Sequence, residues 1–196
     1  MSLTKDTVYE IIGHIKEVAE KISGKEIGEL ISMIIFSKRV FIFGAGRSGL
    51  VGKAFAVRLA HLKFEVFVVG DTITPAVQDG DLFIAISGSG ETASVVISAK
   101  SAKDAGAKIA AVTSNRDSSL AKAADSVMVV EGRTKDDLHR KDYIAKQIMG
   151  RHEPLSPLGT LFEDTCQVLL DGVIVELMRK LRKTEDDLAR MHSNVE

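Results

Sequence analysis

The chain has 196 residues, of which 45% are apolar and 27% charged, and its 26 basic and 27 acidic side chains leave a formal net charge of −1. These proportions describe a globular chain and exclude a disordered polypeptide, a collagen-like repeat and a disulfide scaffold. A charge so close to zero supplies neither the basic field of a nucleic-acid-binding protein nor a polybasic membrane anchor.

The first 37 residues read as two helices. Val8, Ile11, Ile12, Ile15, Val18, Ala19 and Ile22 recur at the spacing of one buried helical face. Ser23-Gly24 interrupts that run, and Ile27, Leu30, Ile31, Ile34 and Ile35 form a second stripe. From Lys38 the pattern changes. Val40-Phe41-Ile42-Phe43 is a continuous apolar run, as expected of a strand buried on both faces. Ser48–Leu62 is helical in composition, and Glu65–Val69, Leu82–Ile86, Lys108–Val112 and Val127–Val130 read as further strands. Helices are expected over about 91–105 and 118–123, between the later strands. Strands alternating with helices need crossover connections, so the expected fold is α/β: a five-stranded parallel sheet in a three-layer αβα sandwich.

Residues 131–142 mix both charge signs and belong at the surface. The link from Val130 to Ser156 is about 25 residues long, a length that in compact domains is often a lid or binding loop. A helical turn through Tyr143–Met149 fits within it. Ser156-Pro157 has the form of a helix start, with Ser as N-cap and Pro in the first turn. The last long helix would then run through Phe162, Cys166, Leu170, Val173 and Leu177. Its cysteine is the sole one in the chain, which excludes an internal disulfide, fits a reducing compartment and reads as a small buried hydrophobe. Thr184–Asp187 can cap a final short helix. The whole chain is read as one domain, divided into a helical pair (1–37), an α/β core (38–130), a charged link (131–156) and C-terminal helices (157–196).

Two strand ends carry the chemistry. Gly44-Ala45-Gly46-Arg47-Ser48-Gly49 follows the first strand and opens a helix, formally matching a dinucleotide fingerprint in which Asp71 would be the ribose acid. A nicotinamide cofactor is nonetheless disfavoured, because no strand is expected after Val130 and the second mononucleotide half is missing. Ser87-Gly88-Ser89-Gly90-Glu91-Thr92 repeats the arrangement at the third strand. Glycine admits a ligand close to the backbone, helix N-termini attract anions, and Ser and Thr hydroxyls add donors to oxygen. That combination suits a phosphate monoester. No G-K-[ST] follows the glycines, so neither loop is a Walker phosphate loop.

The pair of loops resembles the sugar isomerase (SIS) domain family, of flavodoxin-like fold. Ala56–Leu62, Gly70–Pro75, Pro157-Leu158-Gly159-Thr160-Leu161-Phe162-Glu163 and the tail Arg190–Asn194 are similar to one branch of it, the 6-phospho-3-hexuloisomerases. The resemblance implies interconversion of D-arabino-3-hexulose 6-phosphate and D-fructose 6-phosphate through an enediol, with no metal and no redox cofactor. It implies a homotetramer whose active sites lie at subunit boundaries, working beside 3-hexulose-6-phosphate synthase in formaldehyde fixation or its reverse. Glu163 matches the catalytic glutamate. As residues alone, Thr160–Glu163 equally fits a capping box. The resemblance gives His61 and His192 as proton carriers, although His61 also sits on the apolar stripe of Leu50, Ala54 and Val57, and chain ends such as His192 are usually poorly ordered. Arg47, Ser48, Ser87, Gly88, Ser89, Gly90, Glu91 and Thr92 are the expected substrate ligands. His14, His139 and His152 show no metal-ligand spacing.

The rival readings are an isomerase of arabinose 5-phosphate or sedoheptulose 7-phosphate, and a non-catalytic sugar-phosphate sensor. No apolar run reaches the roughly 18 residues of a membrane span, and residues 1–6 lack the apolar stretch of a signal peptide. The expectation is a cytoplasmic protein with a phosphorylated ketohexose as its small-molecule partner.

Overall fold

A computed structural model describes residues 2–132 and 155–191. Most of the charged link, the expected turn at 143–149, His139, His152 and His192 lie outside the described residues. The elements in chain order are α1 (Leu3–Lys21), α2 (Gly24–Phe36), β1 (Val40–Gly44), α3 (Arg47–His61), β2 (Val66–Val68), β3 (Leu82–Ile86), α4 (Ala93–Asp104), β4 (Lys108–Thr113), α5 (Ser119–Ala123), β5 (Ser126–Val129), α6 (Thr160–Leu181) and α7 (Glu185–Ala189). The five strands form one parallel sheet in the order β2-β1-β3-β4-β5.

The unbroken apolar runs follow from burial on both sheet faces. Alternate side chains of each strand point to opposite sides. Val40, Ile42, Leu82, Ile84, Ile86, Ala110 and Val112 enter a core built with α1, α2, α3 and α6. Phe41, Phe83, Ala85, Ile109 and Ala111 enter a second core beneath α4 and α5. Ile84, on the central strand, is fully buried, and its truncation to Ala would cost about 2–5 kcal/mol. The three layers expected from the element order are therefore present. At the outer edge, Glu26 of α2 accepts the Val129 N–H of β5 at 2.8 Å, and Glu29 accepts the Ser126 hydroxyl at 2.9 Å.

α6 begins later than its sequence suggests. Its N-cap is Gly159, at φ +90°, and not Ser156. The Ser156 hydroxyl donates instead to Glu10 of α1 at 2.8 Å, so it does not serve as a cap. The expected start of α7 is present, with Thr184 and Asp187 forming a reciprocal capping box.

The topology places the site. The chain leaves β1 outward to β2 and returns to β3 on the other side of β1. The loop after β3 departs toward β4, so the loops after β1 and β3 diverge from neighbouring strand ends. Gly44 and Ile86 are paired across that junction. Ligands of open parallel sheets bind at such switch points, outside the carboxyl ends of the strands.

Candidate active site

The β1–α3 turn is tight enough to demand glycine at two positions. A Cβ on Gly44 would lie 2.8 Å from the Ser48 backbone, and one on Gly49 2.6 Å from the Gly44 carbonyl oxygen. Ser48 is buried behind this turn. The β3–α4 loop is organised by its own hydroxyls. Ser87 Oγ accepts the Gly90 N–H at 3.2 Å and lies 3.1 Å from Thr92 Oγ1. Gly88 is held from β4 through its carbonyl, which accepts hydrogen bonds from Thr113 Oγ1 and Ser114 Oγ at 3.1 and 2.7 Å.

A cavity of about 410 Å³ opens between these loops and the first turn of α6. Arg47, Ser48, Gly88, Ser89, Thr92 and Glu163 line it, together with Ala45, Gly46, Leu158, Gly159 and Phe162. The structure thus brings together six of the expected site residues. Ser87, Gly90 and Glu91 stand behind that lining. Ser87 and Gly90 shape the turn, while the Glu91 carboxylate accepts the Ser119 N–H at the start of α5 at 2.7 Å. That bond holds the Glu91 carboxyl below its ordinary pKa. His61 is half-buried at the far end of α3, away from the cavity wall.

Three helices point their N-termini at the cavity, and none is capped by its own side chain. Gly46 and Gly159 have no side chain to offer, and Thr92 turns its hydroxyl toward Ser87. The helices that begin elsewhere, α1, α2, α5 and α7, are each capped by a Ser or Thr hydroxyl at 3.2–3.4 Å. First-turn N–H groups need an acceptor. Gly49, Val95 and Thr160 donate to the backbone carbonyls of Gly46, Thr92 and Pro157 at 3.0–3.1 Å. A first-turn N–H without such a carbonyl takes its acceptor from a ligand or solvent, and the aligned peptide dipoles favour an anion there.

Glu163 sits opposite the two loops. The capping-box alternative is not formed, because Thr160 is the first helical residue and not the cap. The Glu163 carboxylate instead accepts a hydrogen bond from Nε of Arg47, whose Nη2 donates to Asp164 Oδ1 at 3.2 Å. Glu163 is mostly buried at 14% side-chain exposure, whereas Arg47 is 57% exposed. The bond to Glu163 raises the Arg47 guanidinium further above its ordinary pKa. Behind this pair, burial and the Glu163 charge push the Cys166 thiol up to about 12, so the thiol is inert at neutral pH. Asp71, the ribose acid of the dinucleotide alternative, pairs with Lys53 at 3.6 Å. Among the described residues, no cluster of three His, Cys, Asp or Glu side chains has the arrangement of a metal site.

Leu158, Gly159 and Phe162 are foreshadowed only by the Pro157–Glu163 segment. Asp164, the second partner of Arg47, carries no sequence signal, since its role depends on a contact across 117 positions.

Comparison with known proteins agrees with this geometry. The SIS domain family model matches residues 33–138. A protein of Aeropyrum pernix described as uncharacterized is 51% identical over 95% of this chain and 87% of its own. The 3-hexulose-6-phosphate isomerase of Bacillus subtilis is 38% identical over 98% of this chain and 99% of its own. A Methanococcus jannaschii crystal structure, reported as inferring a 3-hexulose-6-phosphate isomerase function, superposes with a TM-score of 0.77 at 34% identity, covering 98% of this chain and 99% of that one. The chain belongs to the SIS domain family, and the relatives it matches along most of their length include 3-hexulose-6-phosphate isomerases.

Proposed function

We propose that the protein is a 3-hexulose-6-phosphate isomerase, interconverting D-arabino-3-hexulose 6-phosphate and D-fructose 6-phosphate. One observation carries the reading: a mostly buried carboxylate, Glu163, shares a single cavity with two uncapped, hydroxyl-bearing strand ends. The phosphate monoester binds at the N-termini of α3 and α4, with Ser48, Ser89 and Thr92 supplying hydroxyls and the Gly88 turn a close backbone approach. The anchored sugar extends toward α6. Glu163 removes the proton from C2 of the 3-hexulose, giving the 2,3-enediol, and the proton is returned to C3. The hydroxyl proton on O2 passes to O3, so the carbonyl moves from C3 to C2 with no net gain or loss of electrons. Arg47 stabilises the developing enediolate oxygen, the step at which fixed positive charge is most effective. His61, which lies away from this chain's own cavity, and His192 are the candidate carriers of the oxygen-bound proton, each acting across a subunit boundary. Homotetramer assembly, action beside 3-hexulose-6-phosphate synthase and a cytoplasmic setting belong to the same proposal; among the described residues, no helix is long and apolar enough to cross a membrane.

The test is direct. Purified protein is supplied with fructose 6-phosphate and the products are followed by NMR. Appearance of a 3-ketose 6-phosphate, with solvent deuterium entering at C3 of fructose 6-phosphate or C2 of the 3-ketose, is the expected result. Turnover of arabinose 5-phosphate or sedoheptulose 7-phosphate in its place would transfer the reading to another isomerase. Binding without turnover of any of the three would make the protein a sensor.

A further inference from the structure

Helix α1 lies outside the cavity, yet it holds the segment that forms the cavity's far wall. Glu10 Oε2 accepts the Leu155 N–H at 2.7 Å, and its Oε1 accepts both the Ser156 N–H at 3.1 Å and the Ser156 hydroxyl at 2.8 Å. Three donors on one carboxylate, 145 positions away in sequence, are a dense anchor for a turn. Hydrogen bonds to an ionised acceptor are also the stronger kind. The anchored turn leads straight into the site. Thr160 N–H donates to the Pro157 carbonyl at 3.1 Å and Glu163 N–H to the Gly159 carbonyl at 3.0 Å. The Gly159 backbone runs beneath the Glu163 carboxylate so closely that a Cβ there would lie 3.2 Å from Oε1.

The same helix fixes the segment on the other side of the α6 start. His14 Nε2 donates to the Glu131 carbonyl at 3.1 Å. The adjoining Gly132 packs on Phe162 so tightly that a Cβ would fall 2.5 Å from the Phe162 Cα. The first turn of α6 is thus seated between two chain segments, and both are fastened to α1.

From this arrangement, and resting on the isomerase reading above, we propose that Glu10 is a positioning residue for the reaction. It acts through Leu155–Gly159 to set the place of the Glu163 carboxylate, without touching the substrate. A base must be held close to its reacting proton, and displacement by about 1 Å can cost on the order of 10²-fold in rate. The phosphate ligands sit on α3, α4 and the strand ends, which Glu10 does not reach, so its loss separates turnover from binding.

The experiment uses full-length Glu10→Ala and Glu10→Gln proteins. Gln keeps one acceptor oxygen for Ser156 and loses the bond from Leu155. In Glu10→Ala, kcat for fructose 6-phosphate falls about 10–100-fold with KM within about twofold; Glu10→Gln falls in between. Amide hydrogen exchange quickens at 158–163 and stays unchanged at 87–92, at temperatures where circular dichroism matches the parent. Should Glu10→Ala not fold, Glu10→Gln carries the comparison. Unchanged kcat and exchange would overturn the proposal, as would a raised KM at full kcat, or exchange quickened evenly along the chain. If the parent protein fails to turn over fructose 6-phosphate, the isomerase reading falls by itself. The local exchange pattern then decides whether Glu10 positions this wall.

Discussion

Arg47 and Glu163 are joined as an ion pair across the cavity, the guanidinium on the first turn of α3 and the carboxylate on the first turn of α6. Two residues of opposite charge, 116 positions apart, thereby link the glycine-rich turn after β1 to the first turn of α6. A substrate that places an oxygen anion beside Arg47 competes with Glu163 for the same donors. On the proposed mechanism, binding would loosen the pair at the moment the carboxylate is needed.

Replacing Glu163 with Gln keeps the shape and removes the proposed base. We expect kcat to fall about 10²–10⁴-fold, the range for loss of a positioned general base. Inorganic phosphate should inhibit variant and parent alike, because the proposed phosphate ligands lie on α3 and α4. Steady-state kinetics with phosphate as competitor provide the check; near-parental turnover would remove Glu163 from the mechanism.

Arg47→Lys tests the fork geometry. A lysine presents one ammonium and cannot serve two neighbouring carboxylates as the planar guanidinium does. Arg47 is more than half exposed, so solvent screening moderates the effect. A fall of about tenfold in kcat/KM is expected, consistent with one charged hydrogen bond of roughly 1.5 kcal/mol. Arg47→Ala should fall further.

The glycines give predictions of opposite sign. Gly90 has φ +68°, and a Cβ would lie 2.1 Å from Ser118 Oγ. Gly90→Ala is expected to destabilise by at least about 1–3 kcal/mol through backbone strain alone, lowering Tm by roughly 2–4 °C per kcal/mol at this chain length. Gly13, inside α1, is open on its side-chain face, and an added Cβ would meet nothing within 4 Å. Gly13→Ala should stabilise by about 0.5–1 kcal/mol. Thermal melts of the two variants side by side decide the matter.

Asp81 gives the acid dependence. Burial pushes its carboxyl up, but hydrogen bonds from Arg39 and the Gln78 N–H, with the charges of Arg39 and Lys38, outweigh burial and hold it below its ordinary pKa. A depressed folded value means the unfolded chain binds the proton first as pH falls. The stability from Asp81 is therefore complete above its unfolded pKa of about 3.9 and is lost as pH drops through the lower folded value. Asp81→Asn leaves Arg39 without its carboxylate and should cost about 1–3 kcal/mol at pH 7, the range for losing charged hydrogen bonds. The gap between variant and parent should narrow below about pH 4, measured by urea titration at several pH values.

The sheet is legible in the sequence because burial on both faces writes uninterrupted apolar runs, and Leu82–Ile86 lies where its sequence places it. The two loops that line the cavity are legible because glycine and serine recur at two strand ends that each open a helix. The start of α6 is hidden for a tertiary reason. Ser156-Pro157 has the local form of a cap, but Glu10 takes the Ser156 hydroxyl and transfers the helix start to Gly159. Glu91 has the position of a ligand, whereas its carboxylate serves α5. Glu10 itself gives no sign, since on α1 it is one polar residue among several, and its partners lie across the fold.

The carboxylate of Glu26 occupies the Val129 N–H at the outer rim of the sheet. A donor so engaged is withdrawn from any incoming strand, which guards this border against edge-to-edge aggregation. Growth of the sheet by a sixth strand beside β5 would first have to dislodge α2. Copies of this chain that associate at this border without such a rearrangement would meet across α2 and not by laying a strand beside β5.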